Sequence, residues 1–116
     1  MPSSAERDAR DLVEARFPGA LYSFLGGSRA TATSDLDIVV VLPEVRPYRE
    51  NLRWREWPVE LFVHNELSLT GWADRDLATR HPTMPRLCAE GVVLTDPSGK
   101  AARVRARMRA RLAAGP

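Results

Sequence analysis

Two aspartates, Asp35 and Asp37, stand two positions apart at the head of the apolar run Ile38-Val39-Val40-Val41-Leu42. A β-branched run of this kind reads as a buried strand. Side chains two apart along a strand share a face, so both carboxylates are expected to point the same way from the strand's mouth. A second run, Pro58-Val59-Glu60-Leu61-Phe62-Val63-His64, has the composition of another buried strand except at Glu60. An ionised carboxylate buried without a partner is costly, so a compensating charge is needed. A cation shared by Asp35, Asp37 and Glu60 would supply it, and hard cations such as Mg²⁺ take oxygen ligands alongside substrate phosphates.

Upstream of the aspartates, the apolar stretch Ala20-Leu21-Tyr22-Ser23-Phe24-Leu25 runs into Gly26-Gly27-Ser28. Glycine lets a backbone approach a phosphate closely, and a serine hydroxyl with free backbone N–H groups can hold phosphate oxygens. A Gly-Ser pair alone carries almost no information. Its position after an apolar strand and before paired acids gives it weight. In phosphoryl transfer the protein mainly positions and neutralises, and three convergent carboxylates with a phosphate-holding loop are the expected parts. If Asp35 and Asp37 were only solvated acids at a strand turn, Glu60 in the downstream apolar run would have no reason to be there.

These residues resemble the DNA polymerase β-like nucleotidyltransferase superfamily, whose signature is Gly-Ser, a spacer, Asp-x-Asp and a later third acid. Here it reads Gly27-Ser28, Asp35-Leu36-Asp37 and Glu60. The runs Trp57–His64 and Gly91-Val92-Val93-Leu94 also look like those of stand-alone bacterial nucleotidyltransferase-domain proteins of the minimal type. The resemblance implies transfer of a nucleoside monophosphate, AMP in the first instance, from an NTP with Mg²⁺ or Mn²⁺ onto a hydroxyl of a small molecule or a protein. It makes Asp35, Asp37 and Glu60 the catalytic and metal-binding residues. Gly26, Gly27, Ser28, Arg29 and Ser34 become the nucleotide-binding residues. The six residues Arg29–Ser34 between Ser28 and Asp35 form a shorter spacer than the family pattern. That departure, with a sequence ending at Ala113-Ala114-Gly115-Pro116 where relatives continue into a helical domain, motivates a second reading: an antitoxin-like interaction module of the same fold that works by partner binding.

At 116 residues the sequence is expected to form a single domain, residues 1–116. Its 44% hydrophobic and 28% charged content is ordinary for a globular protein. No apolar run approaches the roughly 18 residues of a membrane span, and Met1–Arg7 lacks a signal-peptide core, so a cytoplasmic location without membrane contact is expected. The single Cys88 has no ligand-spaced partner and is read as a core residue. Residues 97–116 hold six cations and no acid, leaving eleven cations against fifteen acids in residues 1–96. Val104, Met108 and Leu112 recur every four residues within that basic tail, which favours a helix with one apolar stripe and a solvated or partner-facing arginine surface. A protein partner or homodimer is therefore preferred over nucleic acid.

Along the chain, Ser3 or Ser4 is expected to cap a first helix with Glu6, burying Leu12, Val13 and Phe17 before Pro18-Gly19. Strands are expected at about Leu21–Leu25, Leu36–Leu42, Val59–His64 and Val92–Thr95. Between the second and third, Pro43–Trp57 reads as a hairpin-like excursion whose Tyr48, Trp54 and Trp57 are placed to overhang the site, with Trp57 beside Pro58 read as packing ahead of base stacking. Helices are expected from about Gly71 to Arg80, capped by Ser68 or Thr70, around Arg86–Glu90, and after the turn Asp96–Gly99. The fold class is α/β (α+β): a single mixed sheet of about four strands with helices packed on it. His64, about 13 Å along its strand from Glu60, is too distant to share an ion with it and reads as structural or as a neighbour of the substrate pocket.

Overall fold

The computed structural model describes residues 4–26, 35–78 and 83–114. It comprises helix α1 (Ser4–Arg16), strands β1 (Tyr22–Gly26), β2 (Leu36–Val41), β3 (Tyr48–Trp54) and β4 (Trp57–His64), helices α2 (Glu66–Leu77) and α3 (Thr83–Glu90), strand β5 (Val92–Thr95) and helix α4 (Ala101–Ala114). The five strands form one mixed sheet in the order β3-β4-β2-β1-β5. Among the described strands, only β2 and β4 pair in parallel.

Parallel neighbours need a connection that returns the chain to the starting edge, usually a helix. Here β3 is that connection. It descends antiparallel to β4 at the sheet edge and hands over through the tight turn Arg55-Glu56. The expected excursion is therefore a fifth strand. Its alternation is polar enough to hide it: Arg49, Asn51 and Arg53 are exposed, while Leu52 and Trp54 pack on the core beneath the other face. Arg55 turns with a left-handed φ of 56°, costly for a non-glycine residue. Its guanidinium bonds Asp8 and, at 2.8 Å, Asp11 of α1, and Asp8 also accepts from Trp57 Nε1 at 2.8 Å. Trp54 and Trp57 thus belong to the face that α1 covers and do not overhang the acids.

Alternation divides the sheet cleanly. Leu36, Ile38 and Val40 join Val59, Leu61 and Val63 against Ala9, Leu12 and Val13 of α1. Phe24, Val39 and Val41 face Leu69 and Ala73 of α2, Leu87 and Cys88 of α3 and Met108 of α4. Asp37 and Glu60 fall on this second face by the same parity.

α2 starts five residues before the expected Gly71. Asn65, directly after β4, is its N-cap, accepting from Ser68 N while Ser68 Oγ returns to Asn65 N, a reciprocal capping box. Ser68 is therefore the third helical residue and not the cap. Pro85 lies in the first turn of α3, where a missing N–H costs nothing. In α4 the stripe Val104, Met108 and Leu112 packs into the second core. Its arginines are not simply solvated: Arg105 donates to Cys88 O and Gly91 O, and Arg109 to Ala89 O at 3.1 Å. Cations on the last carbonyls of α3 complement its dipole and fix that helix in place. No helix among the described residues is long and apolar enough to cross a membrane.

Candidate functional site

The parallel register of β2 and β4 sets Asp37 directly beside Glu60, and the antiparallel register of β1 and β2 sets Gly26 opposite Asp37. Three residues from separate apolar runs thus meet at one end of the sheet, on the face covered by α2 and α3. Asp35 lies just before β2 and is exposed, while Asp37 is the second residue of the strand and half-buried, so the pair straddles the strand's mouth. Gly27, Ser28, Arg29 and Ser34 lie outside the described residues.

Electrostatics identify Asp37 as the strained member. Burial pushes its carboxyl pKa above the ordinary value, and the nearby carboxylates of Glu60 and Asp35 push the same way, with only Arg49 opposing. Glu60 is half-buried rather than fully buried, and its compensating charge is Arg49 of β3. Arg49 Nε donates to Glu60 Oε1 at 2.7 Å and a terminal guanidinium nitrogen bonds the same oxygen. The guanidinium lies over the Phe62 ring, 5.0 Å from its centroid. Among the described residues no three His, Cys, Asp or Glu side chains converge to hold a metal ion. The acids form a pair, with Asp35 nearby.

The pair opens onto a cavity of about 490 Å³, within the range of small-molecule sites. Glu60, Phe62 and His64 form its floor, Tyr48 and Arg49 line it from β3, and Trp72 and Met84 line it from α2 and α3. His64 is buried, shares a 2.9 Å hydrogen bond between Nδ1 and Ser68 Oγ, and meets the Trp72 ring edge-on at 6.3 Å. Burial lowers its pKa, favouring the neutral imidazole. Tyr48 and Trp72 are exposed aromatics that both line this cavity.

Arg49 and Trp72 were not among the sequence candidates. A usable signal existed: with Arg55-Glu56 recognised as a two-residue turn, counting back along the hairpin sets Asn51 opposite Glu60 and Arg49 one diagonal step away.

The donor set suits a hard divalent cation. All the donors are carboxylate oxygens, the half-buried Asp37 is raised in proton affinity first by burial and then by its like-charged neighbours, and a Mg²⁺ site commonly uses one or two protein carboxylates with the rest from phosphate and water.

No protein-family model matches this chain, and neither does any curated protein. Among solved structures it is similar to a nucleotidyltransferase-like protein from Exiguobacterium sibiricum, with a TM-score of 0.68 and 17% sequence identity. The match covers 90% of this chain and 38% of that one. The fold is thus a nucleotidyltransferase-like mixed α+β arrangement, and the likeness speaks to the fold alone.

Proposed function

We propose that this chain is a divalent-metal-dependent nucleotidyltransferase that moves a nucleoside monophosphate, AMP in the first instance, from an NTP to a hydroxyl. The observation that carries this reading is the side-by-side placement of Asp37 and Glu60 on neighbouring parallel strands at the mouth of a ligand-sized cavity. A soluble domain gains nothing in stability from two adjacent carboxylates on a half-buried face. Such a cost is commonly kept where function requires it.

Asp37 and Glu60 would hold the metal, with Asp35 as the third candidate ligand. When bound, the ion neutralises the phosphate oxygens and so lowers the cost of negative charge developing there. The cavity floor positions the acceptor, whose hydroxyl oxygen forms a bond to the α-phosphorus as the bond to pyrophosphate breaks. The hydroxyl proton passes to a carboxylate, Glu60 in this assignment. Gly26 borders Asp37 at a point where a Cβ would meet Leu87 Cγ at 2.8 Å, so close packing requires the glycine; Gly27, Ser28, Arg29 and Ser34, which follow it, are the proposed phosphate-gripping residues. The acceptor is a small molecule or a protein side chain, and the working compartment is the cytoplasm.

Calorimetric titration of ATP, then the other NTPs, with and without Mg²⁺ tests the reading. Mg²⁺-dependent binding lost in Asp35→Asn and Asp37→Asn supports it; no binding to the wild-type protein refutes it. One observation favours a second reading, in which the fold serves as a partner-binding module: Glu60 is engaged by Arg49 and no three described side chains converge on an ion. A stable hetero-complex that is insensitive to replacement of all three acids would support the module.

A further inference from the structure

The Arg49–Glu60 contact has features that a purely structural ion pair does not need. The Arg49 side chain is 68% exposed on an edge strand, whereas Glu60 is only 20% exposed. Nε and one of the two terminal guanidinium nitrogens converge on one carboxylate oxygen, Oε1, instead of forming the parallel two-oxygen fork that arginine and a carboxylate prefer. Three of the five guanidinium N–H donors remain for other acceptors. Phe62 supplies a flat surface on which the group rests, and both residues line the cavity. Arg49 therefore sits where an incoming cation would meet Glu60, on a side chain free to leave, with donors left for an anion.

We propose that Arg49 is an exchangeable counter-ion that occupies Glu60 in the ligand-free site and transfers to a substrate phosphate when metal and nucleotide enter together. The inference rests on the metal-nucleotide reading of the acid pair. It follows that the metal alone must compete with a guanidinium, while metal with phosphate need not, because the phosphate takes up the displaced cation. Metal and phosphate binding are thereby coupled, and coupling of this kind is reciprocal. The step makes and breaks no covalent bond. It exchanges one guanidinium–carboxylate contact for a metal–carboxylate and a guanidinium–phosphate contact.

The test compares two probes on the full chain, Mn²⁺ alone, followed by electron paramagnetic resonance of the free ion, and the Mg²⁺ complex of the α,β-methylene analogue of ATP, followed by calorimetry. In Arg49→Gln, Mn²⁺ alone should bind about 3–5-fold tighter, the scale of an exposed ion pair. The nucleotide complex should bind about 10-fold weaker, the scale of one charged hydrogen bond. Opposite signs are the signature, since a merely structural arginine would move both affinities together or neither. Arg49→Lys keeps the charge and should leave Mn²⁺ affinity near the wild-type value. Circular dichroism confirms that the variants fold, as expected for an exposed edge-strand position. If Mn²⁺ binds in a manner abolished by Asp37→Asn but is unaffected by Arg49→Gln, the counter-ion role is wrong and the metal site stands. If neither wild type nor Arg49→Gln takes up Mn²⁺, both fail.

Discussion

Replacing Asp37 by asparagine should stabilise this protein while weakening the metal binding proposed for it. Asp37 is half-buried at the register position beside Glu60, with Asp35 two residues before it in the chain. Its folded-state pKa is raised by burial first, then by Glu60 and Asp35. A carboxyl whose folded pKa exceeds its unfolded value binds protons more readily in the native state. Its ionised form therefore destabilises the fold at neutral pH, and that cost is relieved as pH falls through the folded pKa. Asparagine is the same shape without the charge. Like-charge relief at a half-buried, partly screened position is worth a few tenths to about 1 kcal/mol. For a domain of this size that corresponds to a rise in Tm of about 1–4 °C at pH 7. The gain should shrink in acid as the wild-type carboxyl protonates. Mn²⁺ affinity should fall about 10-fold or more, since loss even of a residue supporting a metal ligand costs that much. Differential scanning calorimetry between pH 7 and pH 4, with Mn²⁺ titration on the same samples, reads both effects. A lower Tm at pH 7, or an unchanged Mn²⁺ affinity, would refute the assignment of Asp37 as a strained functional carboxylate.

Three further outcomes follow from the geometry. Gly91→Ala would drive a methyl group into the backbone carbonyl oxygens of Leu25 and Leu87, which cannot step aside, and should cost about 3 kcal/mol and about 12 °C in Tm; Gly19→Ala, with open space around it, should leave the melting curve near wild type. Asp8→Ala removes the acceptor of Trp57 Nε1 and one anchor of the left-handed Arg55 turn, and chemical denaturation should show a loss of about 1–2 kcal/mol. His64 has a folded pKa below its ordinary 6.5 because of burial, so the unfolded chain binds the proton first and stability should fall as pH drops below 6.5. Denaturation midpoints measured from pH 7 to pH 5 should flatten in His64→Asn, and an unchanged slope would contradict a buried neutral imidazole.

The strands that carry a continuous apolar run were readable from the residues: β2 begins at Leu36 and β5 spans Val92–Thr95, as their β-branched composition requires. Strand β3 was not readable because an edge strand shows one face to solvent and the other only to the outer margin of the core, which leaves Tyr-Arg-Glu-Asn-Leu-Arg-Trp looking like a charged loop. The cap at Asn65 was missed because strand and helix are joined by that single residue, so the helix start fell within what read as a linker. Glu60 could be singled out because one acid interrupts an apolar alternation, and that interruption demands a partner. The identity of the partner could not be read, since it depends on cross-strand register, which a sequence reveals only once the turn is known. The same holds for the cavity. Its walls come from β3, α2 and α3, and their juxtaposition depends on Arg105 and Arg109 holding the end of α3, a role indistinguishable from solvated charge in a basic helix.

Topology links the acid pair to its counter-ion more tightly than the residues' separation in sequence suggests. Asp37 and Glu60 become neighbours only because β4 inserts between β2 and the edge strand in parallel register with β2. That insertion is possible over so short a connection only because β3 first carries the chain back down the sheet. The strand that solves the connection problem then lies beside β4, with alternate residues on the acid face. Arg49 is delivered to Glu60 by that alternation, one diagonal step from the residue directly opposite. A shift of the β3–β4 register by one residue would carry Arg49 to the α1 face, leaving Glu60 without its cation and Leu52 and Trp54 facing the cavity side. The turn at Arg55, anchored by Asp8 and Asp11 on the far side of the sheet, fixes that register. A change at α1 that frees the turn should therefore be felt at Glu60 through the sheet, although no α1 side chain lines the cavity. Doubling Asp8→Ala with Asp11→Ala should thus move Mn²⁺ affinity in the same direction as Arg49→Gln; unchanged affinity in a folded double variant would show that strand pairing alone holds the register.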